Sequence, residues 1–413
     1  MALLAVRRAP HIAIVDTAAT GHHVNQISLV TRATLEEGLS PVLFVNSDAA
    51  ERLSGNGNSS LPRTVHVHTL PRQAQRSANG PLQGLAAQLR ERQTLEQIYK
   101  SQIRKCDCDI IYMINLDPIE KALALRGSPF SETPFMGMIM RTWFHHCDCG
   151  VKSPRTFREF LDEASLRRLL GLPTIRKILS IDELLPVYCT RRGCDPENKL
   201  TYIPDYAPLA SHQSRESARN QLGISASAVV ILAYGAMSAR KSLDVLLEAA
   251  ANVPCSELIV LIAGECDDVA REQLRSVTAQ NLRTRGRLIE IAGFQDATGE
   301  ARAFGASDLV WVGYRCFYQM SGVLVQAAQA NLPVLSTDAG MIGYYTGKYR
   351  LGITADVADL GAVTTALTSL VSGVPKQEAS GHGFEAFARE HSQESYLGAM
   401  KNAIRTALKG LRE

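Results

Sequence analysis

Short β-branched runs alternate with helix-like stretches along the whole chain, and the alternation starts twice. "HIAIVD" (11–16) reads as a strand, "NQISLVTRATLEEG" (25–38) as a helix closed by Gly38, and "PVLFVN" (41–46) and "VHVHTL" (65–70) as further strands. The stretch 81–105 spaces apolar residues three and four apart, as an amphipathic helix does. "DIIYMIN" (109–115), "FMGMIM" (135–140), "KILSID" (177–182) and "KLTYIP" (199–204) complete the first series of strands. After the Pro-rich stretch 204–208 the pattern resumes with "VVILAYG" (229–235), "ELIVLIAG" (257–264), "LIEIAGF" (288–294), "DLVWVGY" (308–314) and "LPVLST" (332–337). Strand–helix alternation at this spacing requires parallel sheets covered by helices on both faces. The expected fold class is therefore α/β, with two doubly wound domains at 1–205 and 206–390 facing across a cleft, and a C-terminal helix over 391–413 packing back toward the first. In such sheets ligands bind beyond the carboxyl ends of the strands, so the residues directly after each strand carry the functional reading.

Composition narrows the partners. A formal net charge of +3 lacks the basic excess of a nucleic-acid-binding protein. No apolar run reaches the roughly 18 to 20 residues of a membrane-spanning helix, and "MALLAVRRAP" reverses the order of a secretory signal, so a cytoplasmic protein is expected. Nine cysteines, an odd number, suit a reducing compartment. "KCDCD" (106, 108) and "HHCDCG" (145–149) place paired cysteines too close for one tetrahedral zinc ion, so buried free thiols are expected and no metal site. The basic, partly amphipathic stretch 155–177 reads as a solvated helix or as a peripheral contact with a membrane face.

Three stretches after strands are suited to chemistry. In "TAATGHHVNQ", Gly21 lets backbone N–H groups approach an anion at a helix start, and His22 or His23 can move protons near neutrality; the alternative is a capped turn with exposed histidines. In "YGAMSARKSLDVLLEAA", Gly235 ends a strand, and Arg240 and Lys241 stand at a helix entry where cations oppose the helix dipole unless an anion lies between them. In "YRCFYQMSGVLVQAAQA", Ser321 and Gly322 form an anion cradle, and Gln326 lies a turn deeper, on one face with Gly322 and Val323, where its amide can meet ligand hydroxyls; the alternative is an Ala-rich packed helix. Convergence of the three in one cleft describes a diphosphate with groups attached at both ends.

The sequence resembles glycosyltransferase family 4, retaining enzymes of the GT-B fold with two Rossmann-like domains, most closely over about 229–345. The resemblance implies that Lys241, with Arg240, grips the donor diphosphate, although Ala236 stands where the family often has arginine. It implies a donor site formed by Gly21, Gly235, Gly264, Tyr314, Ser321, Gly322, Val323 and Gln326, with backbone near Phe294 flanking the base. The two glutamates of the family's signature segment fall on Tyr318 and Gln326, so this chain is a variant lacking both. Gln326 would hold the ribose, as an amide both donates and accepts.

The function so implied is transfer of a sugar from a nucleoside-diphosphate donor to a hydroxyl acceptor (a glycan, a lipid-linked sugar or a small molecule) with retention, without metal or other cofactor. Lys241, Arg240 and the helix N-termini would stabilise the leaving diphosphate, with His22, His23 and His145 as candidates for orienting the acceptor. Two alternatives remain: a catalytically silent binder of sugar nucleotides, which the missing glutamates favour, and an epimerase of the same fold, which they disfavour.

Overall fold

The computed structural model describes residues 9–17, 21–54, 61–62, 65–70, 81–209, 213–373 and 381–411, without the side chains of 21–23, 54, 81–83 and 381. The chain divides into two compact units. One comprises 1–145, 155–204 and 396–413, the other 146–154 and 205–395. The change of unit after Pro204 falls at the Pro-rich stretch.

The first unit contains β1 (His11–Asp16), α1 (Gly21–Glu36), β2 (Ser40–Asn46), α2 (Ser47–Ser54), β3 (His66–Leu70), α3 (Pro81–Ser101) and β4 (Ile110–Met113). It continues through α4 (Glu120–Arg126), β5 (Phe135–Ile139), α5 (Glu159–Leu170), β6 (Ile175–Ser180), α6 (Leu184–Arg192) and β7 (Leu200–Tyr202). Its seven strands lie in the order β3-β2-β1-β4-β5-β6-β7, all parallel. The second unit contains α7 (Arg215–Leu222), β8 (Val229–Tyr234), α8 (Leu243–Asn252), β9 (Leu258–Gly264), α9 (Asp268–Gln273), α10 (Val277–Thr284) and β10 (Leu288–Ala292). Then follow α11 (Ala297–Ala306), β11 (Leu309–Val312), α12 (Gly322–Gln329), β12 (Val334–Thr337), α13 (Gly340–Tyr349), β13 (Gly352–Ala355), α14 (Leu360–Gly373) and α15 (Gly381–Glu390). Its six parallel strands are ordered β10-β9-β8-β11-β12-β13. The strand order reverses between β1 and β4 in one sheet and between β8 and β11 in the other, which opens a crevice at each carboxyl edge.

β13 is a sixth strand where five were expected in this half. The expected helix over 155–177 ends at Leu170, and Ile175 to Ser180 form β6, so charged Arg176 and Lys177 are strand residues. Central strands are apolar on both faces because helices cover both; every residue of β9 is buried. On one face Leu246 and Leu247 of α8 and Leu367 and Leu370 of α14 pack on Ile231, Val260 and Ile262.

The chain ends in α16 (Gln393–Leu408), which from Tyr396 onward belongs to the first unit. It buries Tyr396, Leu397, Met400, Ile404 and Leu408. Lys401 reaches Glu36 at 2.9 Å, Arg405 forks onto both oxygens of Glu37, and Arg176 Nε donates to the carbonyl of Ala407. The second unit takes in 146–154 in the opposite sense: Gly340 N donates to Lys152 O, and the Lys152 ammonium bridges Asp338 and Asp356 at 2.8 and 3.0 Å. His391 Nδ1, in a fully buried ring, is hydrogen-bonded to Asp205 O at 2.7 Å and ties the two ends of that unit together.

Candidate functional site

β8 ends at Tyr234 and turns sharply at Gly235, whose φ is +86°. Gly264, which ends β9, has φ +147°, and a Cβ there would lie 2.0 Å from Gly235 O. The two strand ends therefore approach closer than any side chain permits. Beyond Gly235 the chain forms a 3₁₀ turn, Ala239–Lys241, and passes through Ser242 at φ +50° before α8 begins at Leu243.

The turn separates the basic pair: Arg240 is exposed, whereas Lys241 is drawn inward. Lys241 is 4% exposed. Its ammonium folds back to donate to the carbonyl of Tyr234 and lies 5.5 Å from the centre of the Tyr314 ring. Trp311, wholly buried on β11, fixes the backbone by donating from Nε1 to Lys241 O at 2.7 Å. Burial pushes the Lys241 pKa down, with the nearby Arg240 charge adding to it and Tyr314 partly opposing it. Among the described residues no carboxylate pairs with this ammonium. The unfavourable contribution is thus desolvation of a buried charge, larger than the helix-dipole penalty expected from sequence. Arg240 spreads its guanidinium over Phe317 and Tyr314, 4.4 and 5.3 Å from the ring centres.

Tyr314 is buried between these cations and the start of α12. Ser321 precedes α12, yet its hydroxyl donates to the Tyr314 phenol at 3.3 Å and makes no cap for the helix. No acidic side chain occupies the first turn. Leu324 N donates to Ser321 O at 3.0 Å, and among the described residues the N–H groups of Gly322 and Val323 are left to an anion or to water.

Gly322 and Gln326 serve the linker first. A Cβ on Gly322 would come within 2.9 Å of Ala207 Cβ, so the glycine admits residues 207–209 alongside α12. Gln329 accepts from Leu209 N at 2.8 Å. Gln326, 8% exposed, donates from Nε2 to Pro208 O at 3.1 Å and to Glu300 Oε2 at 2.8 Å. Its amide nitrogen is committed within the protein, which corrects the picture of an amide aimed at a ligand. Val323 is half-buried beside Gly322.

The remaining expected residues are dispersed. Tyr318 is half-buried, burial raises its phenol pKa, and its carbonyl accepts from Met341 N, so it supplies no charge. Phe294 follows edge strand β10 and is 80% exposed. His145 has no exposed surface. Its Nε2 is hydrogen-bonded to Asp182 Oδ2 at 3.0 Å, and its ring is packed against Phe144 and Tyr188, which corrects its expected place beside an acceptor. Gly21 opens α1, and the side chains of His22 and His23 lie outside the described residues. The cysteines form no disulfide among the described residues, but only Cys189 and Cys194 are buried, and Cys316 is exposed.

One functional candidate escaped the sequence reading. Glu300, in the first turn of α11, accepts from Tyr234 Oη at 2.8 Å and from Gln326 on the same oxygen. Its only sequence signal was its place four residues after Asp296, whose side chain caps α11 by accepting from Gly299 N.

Residues 228–372 match the family described as glycosyl transferases group 1. D-inositol 3-phosphate glycosyltransferase of Rhodococcus opacus is 29% identical over 225 residues, 51% of this chain and 49% of the relative. The matched stretch thus spans about half the length of the curated relatives. Sucrose-phosphate synthase from Thermosynechococcus elongatus shares the fold at TM-score 0.68 and 16% identity, over 96% of this chain and 98% of that one. HepE of Anabaena, solved in complex with UDP, does so at TM-score 0.62 and 15% identity, over 97% and 99%. The fold is accordingly GT-B, with two Rossmann-like α/β units.

Proposed function

Because residues 228–372 match the glycosyl transferases group 1 family, we propose that the protein transfers a sugar from a nucleoside-diphosphate sugar to a hydroxyl acceptor, with retention at the anomeric carbon. The observation that supports this most is Lys241, a buried ammonium without an anionic partner among the described residues, beside an uncapped helix start. A diphosphate supplies the missing charge. As the sugar departs, negative charge grows on the leaving oxygen, and a fixed cation in a desolvated setting stabilises that change more than water does. Arg240, whose guanidinium lies over two rings, and the N–H groups of Gly322 and Val323 supply the remaining positive potential. With no carboxylate at 318 or 326, the departing phosphate oxygen is the base we assign to the acceptor hydroxyl. HepE was solved with UDP, so a uridine donor is the first to try. Purified protein incubated with a panel of nucleotide sugars and analysed for donor cleavage and transfer tests the reading. Donor-induced stabilisation without turnover on any acceptor or water would assign a silent binder instead.

Metal independence follows from the same cations. Turnover is expected to be unchanged in chelator, and full loss restored by magnesium or manganese would overturn this.

We propose in addition a peripheral membrane contact through the start of α5. Phe157, Phe160 and Leu161 are 88%, 76% and 60% exposed, with Arg155 and Arg158 close by in sequence. No described helix is long and apolar enough to cross a membrane. Sedimentation with phosphatidylglycerol vesicles is expected for the native chain and lost in F157S/F160S. Equal sedimentation of both would remove the proposal.

A further inference from the structure

We propose that Trp311 is a positioning residue for the donor diphosphate: its indole, with the main chain of Arg315, holds the Arg240–Lys241 turn in the form that buries the Lys241 ammonium. This rests on the nucleoside-diphosphate reading above. Two consecutive carbonyls of the turn are taken up by β11 and the loop after it. Lys241 O accepts from Trp311 Nε1 at 2.7 Å, and Arg240 O accepts from Arg315 N at 2.8 Å. A carbonyl oxygen repels a phosphate oxygen, so tying both down keeps their negative ends from turning toward an anion. The turn needs such a hold. Ser242, wholly buried, has φ +50°, a conformation that a residue other than glycine keeps only where its surroundings enforce it.

The hold is itself anchored. The Trp311 indole is buried in the core that contains Leu243 and Leu246 of α8. Gly313 gives it room, since a Cβ there would lie 2.2 Å from the indole ring. The Arg315 side chain reaches Asp244 in the first turn of α8, at 2.8 and 3.1 Å. The same loop carries Tyr314 and Phe317, over which the Arg240 guanidinium lies. One strand end therefore sets both cations. The groups facing the Lys241 ammonium are the Tyr314 phenol and Arg240, while Asp244 is engaged by Arg315 and the Tyr234 phenol by Glu300. Burial dominates, Tyr314 opposes it, Arg240 adds to it, and the lysine lies below its ordinary pKa. A turn released from the indole lets water reach the ammonium, which then loses both that depression and its fixed place.

The test is calorimetric titration of the full native chain and of W311F with inorganic pyrophosphate and UDP, from neutral to alkaline pH. Phenylalanine keeps a ring in the core and removes the donor. W311F is expected to bind both ligands about five- to tenfold more weakly at neutral pH, the weight of one hydrogen bond. In the native chain affinity is full below the free lysine pKa and falls as pH rises through it; in W311F that fall is expected at higher pH. Ionisation of the pyrophosphate is common to both chains and cancels. Weaker binding with a lower melting temperature and the fall at its native position overturns the inference, because loosened packing alone produces that. Should W311F not fold, the native chain carries the test. It has two tryptophans, Trp143 and Trp311, hence two indole N–H signals in a proton–nitrogen correlation spectrum, told apart with W143F. The Trp311 signal is expected to move as pyrophosphate is added. An indole signal that stays in place while pyrophosphate binds, or native affinity and pH dependence in W311F, overturns the inference and leaves the diphosphate reading standing. Failure of the native chain to bind pyrophosphate or UDP overturns both.

Discussion

Lys241→Met is expected to leave the unliganded fold intact and to lower turnover by about 100- to 1,000-fold, roughly 3–4 kcal/mol of transition-state stabilisation. Methionine keeps the apolar stem that fills the space beside Tyr314 and removes only the charge. Replacing a buried ion by an apolar group of similar volume is commonly neutral or stabilising, so the melting temperature without ligand is expected to hold or rise. Donor-induced stabilisation is expected to vanish in the same variant. Lys241→Arg is expected to recover little, since a Cβ on Gly235 would already stand 3.2 Å from the ammonium and a forked guanidinium is larger. The pH dependence has a definite sign. Burial holds the free Lys241 pKa below that of an ordinary lysine, and a bound diphosphate raises it again. Affinity is therefore full below the free-state pKa and is lost as pH rises through it, starting at lower pH than an exposed lysine would impose. Normal turnover in Lys241→Met, measured by donor cleavage, would place the diphosphate elsewhere.

Gly264→Ala is expected to destabilise the second unit by about 2–5 kcal/mol, the sum of overpacking and of a positive-φ conformation that alanine adopts poorly. The new methyl would sit 2.0 Å from Gly235 O and 2.7 Å from Gly235 C. Those neighbours are main chain, so the clash is relieved only by moving the strand ends apart. Such a shift displaces the carbonyl of Tyr234 that holds Lys241, and donor affinity is expected to fall with stability. A denaturant titration followed by donor binding checks both. A native midpoint would mean that β8 and β9 part without cost.

The alternation of buried runs with amphipathic helices revealed both sheets, because parallel strands buried on two faces leave an unbroken apolar record. β13 escaped because "GITA" is four residues of modest hydrophobicity at a sheet edge. Only the start of β6 was misread, because Arg176 and Lys177 continue the basic stretch that begins at 155, whereas "KILSID" was read as a strand; Arg176 in fact bonds the end of α16 and Lys177 the carbonyl of Asn198. At the site, the glycines and the basic pair were legible, since few other residues allow that backbone or that charge. The burial of Lys241 was not, because lysine is almost never fully buried and local sequence carries no sign of Tyr314 and Trp311 closing over it. Glu300 was invisible for the opposite reason. A glutamate in the first turn of a helix is so ordinary that only its contacts with Tyr234 and Gln326 distinguish it.

In chain order the second unit, apart from His146–Pro154, is one long insertion: the first unit gives way at Asp205 and resumes at Tyr396 with most of α16. Were the intervening Asp205–Ser395 stretch, about 190 residues, to unfold alone, a folded first unit would hold it as a closed loop. Closing a loop of that length costs about 5 kcal/mol. Each unit therefore draws part of its stability from the other through connectivity. Any ligand that tightens the inserted unit also guards α16 in its seat on Glu36 and Glu37 against fraying. On the proposed function, donor binding is expected to appear to proteases as protection of the C-terminus.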